Sequence, residues 1–131
     1  MEDSSEKNIN EIISLTVKYC WALDERDWES LSEVFSPDAY AKYGVTEHKG
    51  INSIIEKCQK ALLPLDFSHH MVSNHVVEIE GDKARCKCYF QAQHVRNSTP
   101  EGVNFVIAGK YEDELIRINS KWKINSRVLT K

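Results

Sequence analysis

Lys83-Ala84-Arg85-Cys86-Lys87-Cys88-Tyr89-Phe90-Gln91-Ala92-Gln93-His94-Val95-Arg96 alternates with a period of two from end to end. Its even positions carry Cys86, Cys88, Phe90, Ala92 and His94, and its odd positions carry Arg85, Lys87, Tyr89, Gln91, Gln93 and Val95. Successive side chains of a strand point to opposite faces, so this stretch is a β-strand whose nearly apolar even face looks onto a core. The same period continues on both sides. Segments 67–79, 103–116 and 121–129 read as strands, separated by Glu80-Gly81-Asp82, by residues 97–102 and by Asn119-Ser120. Long strands joined by such short turns form antiparallel hairpins.

Upstream the period is helical. Ile9, Ile12, Ile13, Thr16, Cys20 and Leu23 recur at spacings of three and four, which predicts a helix from Asn8 to about Leu23. Asp27 can cap a second, shorter helix with Trp28, Leu31, Val34 and Phe35 as its buried stripe. Ser36-Pro37-Asp38 breaks that pattern, and Ala39 to Tyr43 reads as one short strand. Gly50 opens a third helix with Ile51, Ile54, Ile55, Cys58 and Leu62 on its apolar face, and Pro64 stops it. Helices grouped first and strands grouped last mean an α+β fold. Strands this long must twist and bend, so the N-terminal helices should cap the concave face of a curved, mostly antiparallel sheet and enclose a pocket.

The 131 residues are 41% hydrophobic and 28% charged, a globular balance that needs no disulfide or metal staple. A formal charge of -3 offers no basic footprint for nucleic acid. No apolar run approaches the roughly 18–20 residues of a membrane span, and Met1 to Lys7 is polar and acidic, unlike a secretory leader. These features predict one domain over 8–131 behind a flexible tail at 1–7, a cytoplasmic location, and neither nucleic-acid nor membrane partners. Cys20, Cys58, Cys86 and Cys88 show no C-x-x-C spacing and no His-x-x-x-His partner, which predicts reduced core thiols and no metal.

The polar groups with chemical potential are Tyr19, Asp24, Tyr43, His69, His70, His94 and Arg127. Asp24 sits at a helix junction, where a solvated turn carboxylate is the ordinary reading. His69 and His70 begin the first long strand, so one can enter the pocket while the other faces away. His94 ends the inward row that includes Phe90, where a lone His is most often a satisfied core residue. In the last strand Trp122, Ile124 and Ser126 alternate with Lys123, Asn125 and Arg127, a period that places Arg127 on the exposed face.

Several stretches in order carry a family resemblance. They are Tyr19-Cys-Trp-Ala-Leu-Asp24-Glu-Arg-Asp-Trp28 followed by Leu31, Phe35 and Ser36-Pro37, then Gly50, His70-Met71, Gly109-Lys-Tyr111-Glu-Asp113-Glu-Leu115 and Trp122-Lys-Ile124. From about Ile9 to Arg127 the chain resembles the SnoaL-like branch of the nuclear transport factor 2-like superfamily, whose fold is a cone of helices on a curved sheet. Within it the chain looks most like scytalone dehydratase, hexachlorocyclohexane dehydrochlorinase and bile-acid 7α-dehydratase. The resemblance implies a catalytic dyad, with Asp24 orienting His70, which removes a proton from carbon. It implies pocket roles for Tyr19, Tyr43 and Arg127. It aligns His94 with a second pocket His, although Gln93 competes for that place.

The residue types suit that chemistry. A neutral imidazole is the common side-chain base near physiological pH, and a carboxylate beside it fixes the basic nitrogen and stabilises the imidazolium. Phenols, an Arg or a second His can hold developing negative charge in a dry pocket. The expected function is a lyase without cofactor, removing a carbon-bound proton from a small hydrophobic, cyclic substrate and then expelling a leaving group. An isomerase or cyclase using the same dyad and a non-catalytic small-molecule-binding domain are the alternatives. The resemblance also implies a homo-oligomer, a dimer or a trimer, through the convex sheet face.

Overall fold

The computed structural model describes residues 4–97 and 101–131; the first three residues of the expected tail and part of the 97–102 turn lie outside them. Helix α1 spans Ser4–Asp24, starting ahead of Asn8. Its apolar stripe begins later, but Asn8 Oδ1 accepts hydrogen bonds from Trp122 Nε1 at 3.0 Å and Arg117 NH1 at 3.1 Å, which tie the first turns to the sheet. Ile12, Thr16, Cys20 and Leu23 are buried as the period requires, Ile9 and Ile13 are half-buried, and Tyr19 is buried beside them. A 3-10 turn at Trp28–Ser30 leads into the single-turn helix α2 (Leu31–Val34), and α3 spans Ile51–Leu62. Asp27 sits at the expected cap position, yet its carboxylate accepts from Ser30 Oγ at 2.6 Å and from no backbone amide.

The strands are β1 (Phe35–Tyr43), β2 (Thr46–Lys49), β3 (Phe67–Glu80), β4 (Lys83–Arg96), β5 (Val103–Ile118) and β6 (Lys121–Thr130). They form one unclosed sheet in the order β2-β1-β6-β5-β4-β3. Every pairing is antiparallel except β1 with β6. The four long strands lie where the two-residue period put them. Asn119 and Ser120 both take positive φ, 51° and 68°, as a two-residue hairpin turn with the right twist requires.

Two expectations for the region before Pro64 are corrected. The second helix ends at Val34, so Phe35 belongs to β1 and not to the helix, and Ser36-Pro37-Asp38 lies within the strand rather than ahead of it. This segment forms a bulge inside β1, where the partner register passes from Phe35↔Ile124 to Tyr40↔Ser126. Proline is tolerated there because a bulge frees its position from the ladder. A second strand, β2, follows the first; its side chains are mostly exposed, so no apolar alternation marks it.

The exposed reading of Arg127 is also corrected: it is 0% exposed. The reason is a second bulge. Leu115 pairs with Ile124 and Glu114 with Ser126, so Asn125 is the extra residue and the inward phase of β6 passes from Trp122 and Ile124 to Arg127. Its Nε and NH2 donate to the two carboxylate oxygens of Asp113 at 2.8 and 2.7 Å. The guanidinium carbon lies 4.4 Å from the Tyr19 ring centroid and 3.9 Å from that of Tyr111. Burial alone would lower the Arg127 pKa, but the charge and hydrogen bonds of Asp113 outweigh it and keep the guanidinium charged. A buried pair is costly to break singly and cheap to replace whole. Arg127→Met should therefore cost about 3–5 kcal/mol in urea denaturation, while Arg127→Met with Asp113→Leu should recover most of that loss.

Candidate active site

The end of α1 is a turn in which Arg26 N–H bonds Leu23 O at 3.1 Å and Asp27 N–H bonds Ala22 O at 2.8 Å. This closure needs a left-handed residue, usually glycine; here Arg26 occupies it with φ 60°. Arg26 then uses its side chain to join three elements. NH1 donates to Leu23 O at 2.6 Å and to Ser68 Oγ at 3.0 Å, and NH2 donates to Leu62 O at 3.1 Å. The end of α1, the end of α3 and the start of β3 are thereby fixed around Asp24.

Asp24 receives three hydrogen bonds from β3. Oδ1 accepts from Ser68 Oγ at 2.9 Å and from His70 Nδ1 at 2.7 Å, and Oδ2 accepts from the His70 backbone N–H at 2.8 Å. Burial pushes the Asp24 carboxyl up, but the His70 and Ser68 hydrogen bonds and the His70 charge outweigh it and hold it below its ordinary 3.8. Because Nδ1 serves Asp24, the free lone pair of a neutral His70 is on Nε2. The His70 side chain is only 7% exposed. His69 takes the other face of β3, exposed, with its ring 5.2 Å from that of Phe67.

His70 lines a cavity of about 180 Å³ between α1, α3 and the sheet, together with Tyr19, Tyr43, Phe90, His94 and Tyr111. Sheet register assembles its floor in rows. Tyr43, Leu129 and Tyr111 stand side by side at the cavity across β1, β6 and β5, with Cys88 continuing the row on β4, and Ala41, Arg127, Asp113 and Cys86 form the next inward row, outside the cavity. Tyr19 Oη and Tyr43 Oη are 2.9 Å apart. Burial raises the pKa of both phenols, which therefore stay protonated as hydrogen-bond donors. The His94 ring is 5.9 Å from that of His70, and burial, with His70 next, lowers its pKa and keeps it neutral. Gln93 instead donates its amide to Asn104 at 2.9 Å on the exposed side. Burial raises Cys58 and pushes Cys20 and Cys86 up to about 12, so these thiols are not nucleophiles at neutral pH.

Arg127 does not line this cavity; it lies behind the Tyr19 and Tyr111 rings. Three residues join the sequence-predicted set. Tyr111 and Asp113 belong to an inward row, Tyr111-Asp113-Leu115, in which a lone carboxylate between apolar neighbours is itself the signal. Arg26 has no such signature, because its role rests on a backbone conformation. Among the described residues, no group of three or more His, Cys, Asp or Glu is placed to hold a metal.

The depressed Asp24 pKa has a sign. Its contribution to stability is fully present above the ordinary 3.8 and is lost as pH falls through the lower folded value. Asp24→Asn should therefore flatten the loss of stability between about pH 5 and pH 2, measured by urea denaturation at each pH. Ser68→Ala removes one donor to the same carboxylate and should cost about 1 kcal/mol in the same assay.

A family model described as a SnoaL-like domain matches residues 7–128. An uncharacterized protein of Mycobacterium tuberculosis strain H37Rv is 31% identical over 125 residues, 92% of this chain and 83% of the relative. Among solved structures, a Novosphingobium aromaticivorans protein provisionally assigned as a scytalone dehydratase aligns with a TM-score of 0.88 at 20% identity, covering 98% of this chain and 87% of that one. A nuclear transport factor 2-like superfamily protein of Salmonella enterica serovar Typhimurium aligns with a TM-score of 0.83 at 16% identity, covering 99% and 92%. At these identities the structural matches show the cone-shaped fold, and the family match covers nearly the whole chain: this protein belongs to the SnoaL-like domain family of the nuclear transport factor 2-like fold.

Proposed function

We propose that the protein is a cofactor-independent lyase whose base is His70. The observation that carries this reading is the 2.7 Å hydrogen bond between Asp24 and His70 Nδ1 at the wall of a half-open, largely apolar cavity. Nε2 takes a proton from a substrate carbon next to a carbonyl, and the electron pair of that C–H bond becomes an enolate. Asp24 balances the imidazolium that forms. Tyr19 Oη and Tyr43 Oη share one hydrogen bond, and Tyr43 Oη also lies 3.9 Å from Cys58 Sγ, a weak acceptor that an enolate oxygen outcompetes for the remaining O–H. Collapse of the enolate forms a carbon–carbon double bond and expels the β-substituent with its bonding electrons. If that substituent is hydroxide, the imidazolium proton converts it to water and restores neutral His70.

The provisional scytalone dehydratase assignment of a structural neighbour supports this reaction class. Return of the same proton to another carbon would make the protein an isomerase or cyclase, while a pocket without turnover would make it a binding domain. The sheet face away from the helices exposes Met71, Tyr89 and Val106, which suits pairing with a second copy; light scattering at micromolar concentration should give a dimer. A cytoplasmic location fits the four unpaired cysteines.

A substrate-depletion screen of cyclic β-hydroxyketones provides the assay. His70→Ala should lower turnover by roughly 100- to 10,000-fold. Asp24→Asn should reduce kcat steeply with little change in KM, and the double variant should be barely worse than His70→Ala, because the two act as a unit. His69→Ala, on the opposite face, should retain most activity. Equal and mild losses for His69→Ala and His70→Ala would favour the binding-domain reading.

A further inference from the structure

The charged side chains among the residues lining the cavity are Lys57 and Lys131, and no Asp or Glu lines it. This bias toward cations occurs in a chain of net charge -3. Lys57, half-buried, precedes Cys58, whose thiol forms part of the cavity wall. Lys131 is exposed and is delivered by the end of β6. That end lies across β5 at Gly109, where a Cβ would stand 2.1 Å from Thr130 O, 2.9 Å from Lys131 Cα and 3.0 Å from Phe90 Cε2. A side chain at 109 would therefore push the end of the chain off β5 and press on the Phe90 ring, and the missing one allows the second lysine to reach the rim. Neither lysine has a carboxylate partner among the ion pairs of the described residues.

Size is the second constraint. At about 180 Å³ the cavity is smaller than ordinary ligand sites of about 300–1,000 Å³ and close to the roughly 150 Å³ space that accepts a benzene ring. Its buried wall carries the phenol pair and His70, while its rim carries the lysines.

We infer that the site selects a single-ring substrate bearing a carboxylate: the ring oxygen meets Tyr19 and Tyr43, and the carboxylate meets Lys57 and Lys131. This rests on the reading of the cavity as a substrate site, and it deepens that reading by naming the substrate class. Rim lysines supply modest attraction that is screened by salt, so they act as selectors by charge, while ring size is set by the cavity walls.

Hydroxybenzoates test this without turnover, because they are planar and carry both oxygen functions. The full chain is titrated by NMR at low ionic strength with 3-hydroxybenzoate, phenol and 6-hydroxy-2-naphthoate. The carboxylate should tighten single-ring binding about 10-fold over phenol, the product of two partly exposed ion pairs. Lys57→Met with Lys131→Met should reduce that preference to below about threefold, and added salt should erode it in the wild type. The two-ring acid should not perturb the cavity resonances. Binding of these probes is read without turnover, so loss of the lyase reading leaves this result standing. The inference is overturned if phenol binds as well as 3-hydroxybenzoate, if the double lysine variant keeps the preference, if the naphthoate binds as well as the single ring, or if no single-ring probe binds.

Discussion

A charge that cannot reach water governs this core. Arg127 is 0% exposed, and a guanidinium in that position is tolerable only with a partner that matches its geometry. Asp113 supplies a two-point match from the neighbouring strand. The faces of Tyr19 and Tyr111 cover the remaining planar surface, a favourable arrangement for a desolvated cation. Each of these partners has a further duty. Tyr111 stacks on Phe90 with centroids 4.5 Å apart, and Tyr19 points its hydroxyl at Tyr43. The cavity floor is thus organised around an ion pair that lies outside the cavity.

The same dependence explains what could be read from the sequence. The four long strands were legible because one face of each is buried and the period of two is unbroken over most of their length. The buried stripe of α1 was legible for the same reason at helical spacing. A bulge defeats this reading, since a single inserted residue reverses the phase and leaves composition unchanged. Asn125 does so in β6 and conceals Arg127. In β3, the register shift between Ser73 and Val76, with Asn74 at φ 60°, moves the inward set from His70 and Val72 to His75 and Val77. β2 was silent because it buries almost nothing. Asp24 and His70 were singled out as residue types, but their pairing came from family resemblance; periodicity carries no information about contacts between a helix end and a strand start.

The second phase reversal brings His75 onto α1, where its Nε2 is 2.8 Å from Thr16 Oγ1. The Thr16 hydroxyl already donates to Ile13 O at 2.7 Å, so the imidazole must be the donor in this contact. Burial lowers the His75 pKa, which keeps the ring neutral as it packs between helix and sheet. The helix that carries Tyr19 and Asp24 is consequently held to β3 by polar contacts at its middle and at its end, with apolar packing between.

Arg26 shows where function and foldability diverge. Glycine is the residue that a left-handed helix terminus prefers, because any Cβ there costs backbone energy. The chain accepts that cost and gains the guanidinium that braces Ser68 and the ends of α1 and α3. Selection for thermal stability alone would be drawn to this position, since relieving local strain is among the simplest stabilising changes available to a protein. The most direct route to a sturdier terminus would also release Ser68 and the ends of α1 and α3 from the brace that sets Asp24 against His70, so a lineage hardened at this position would loosen that contact.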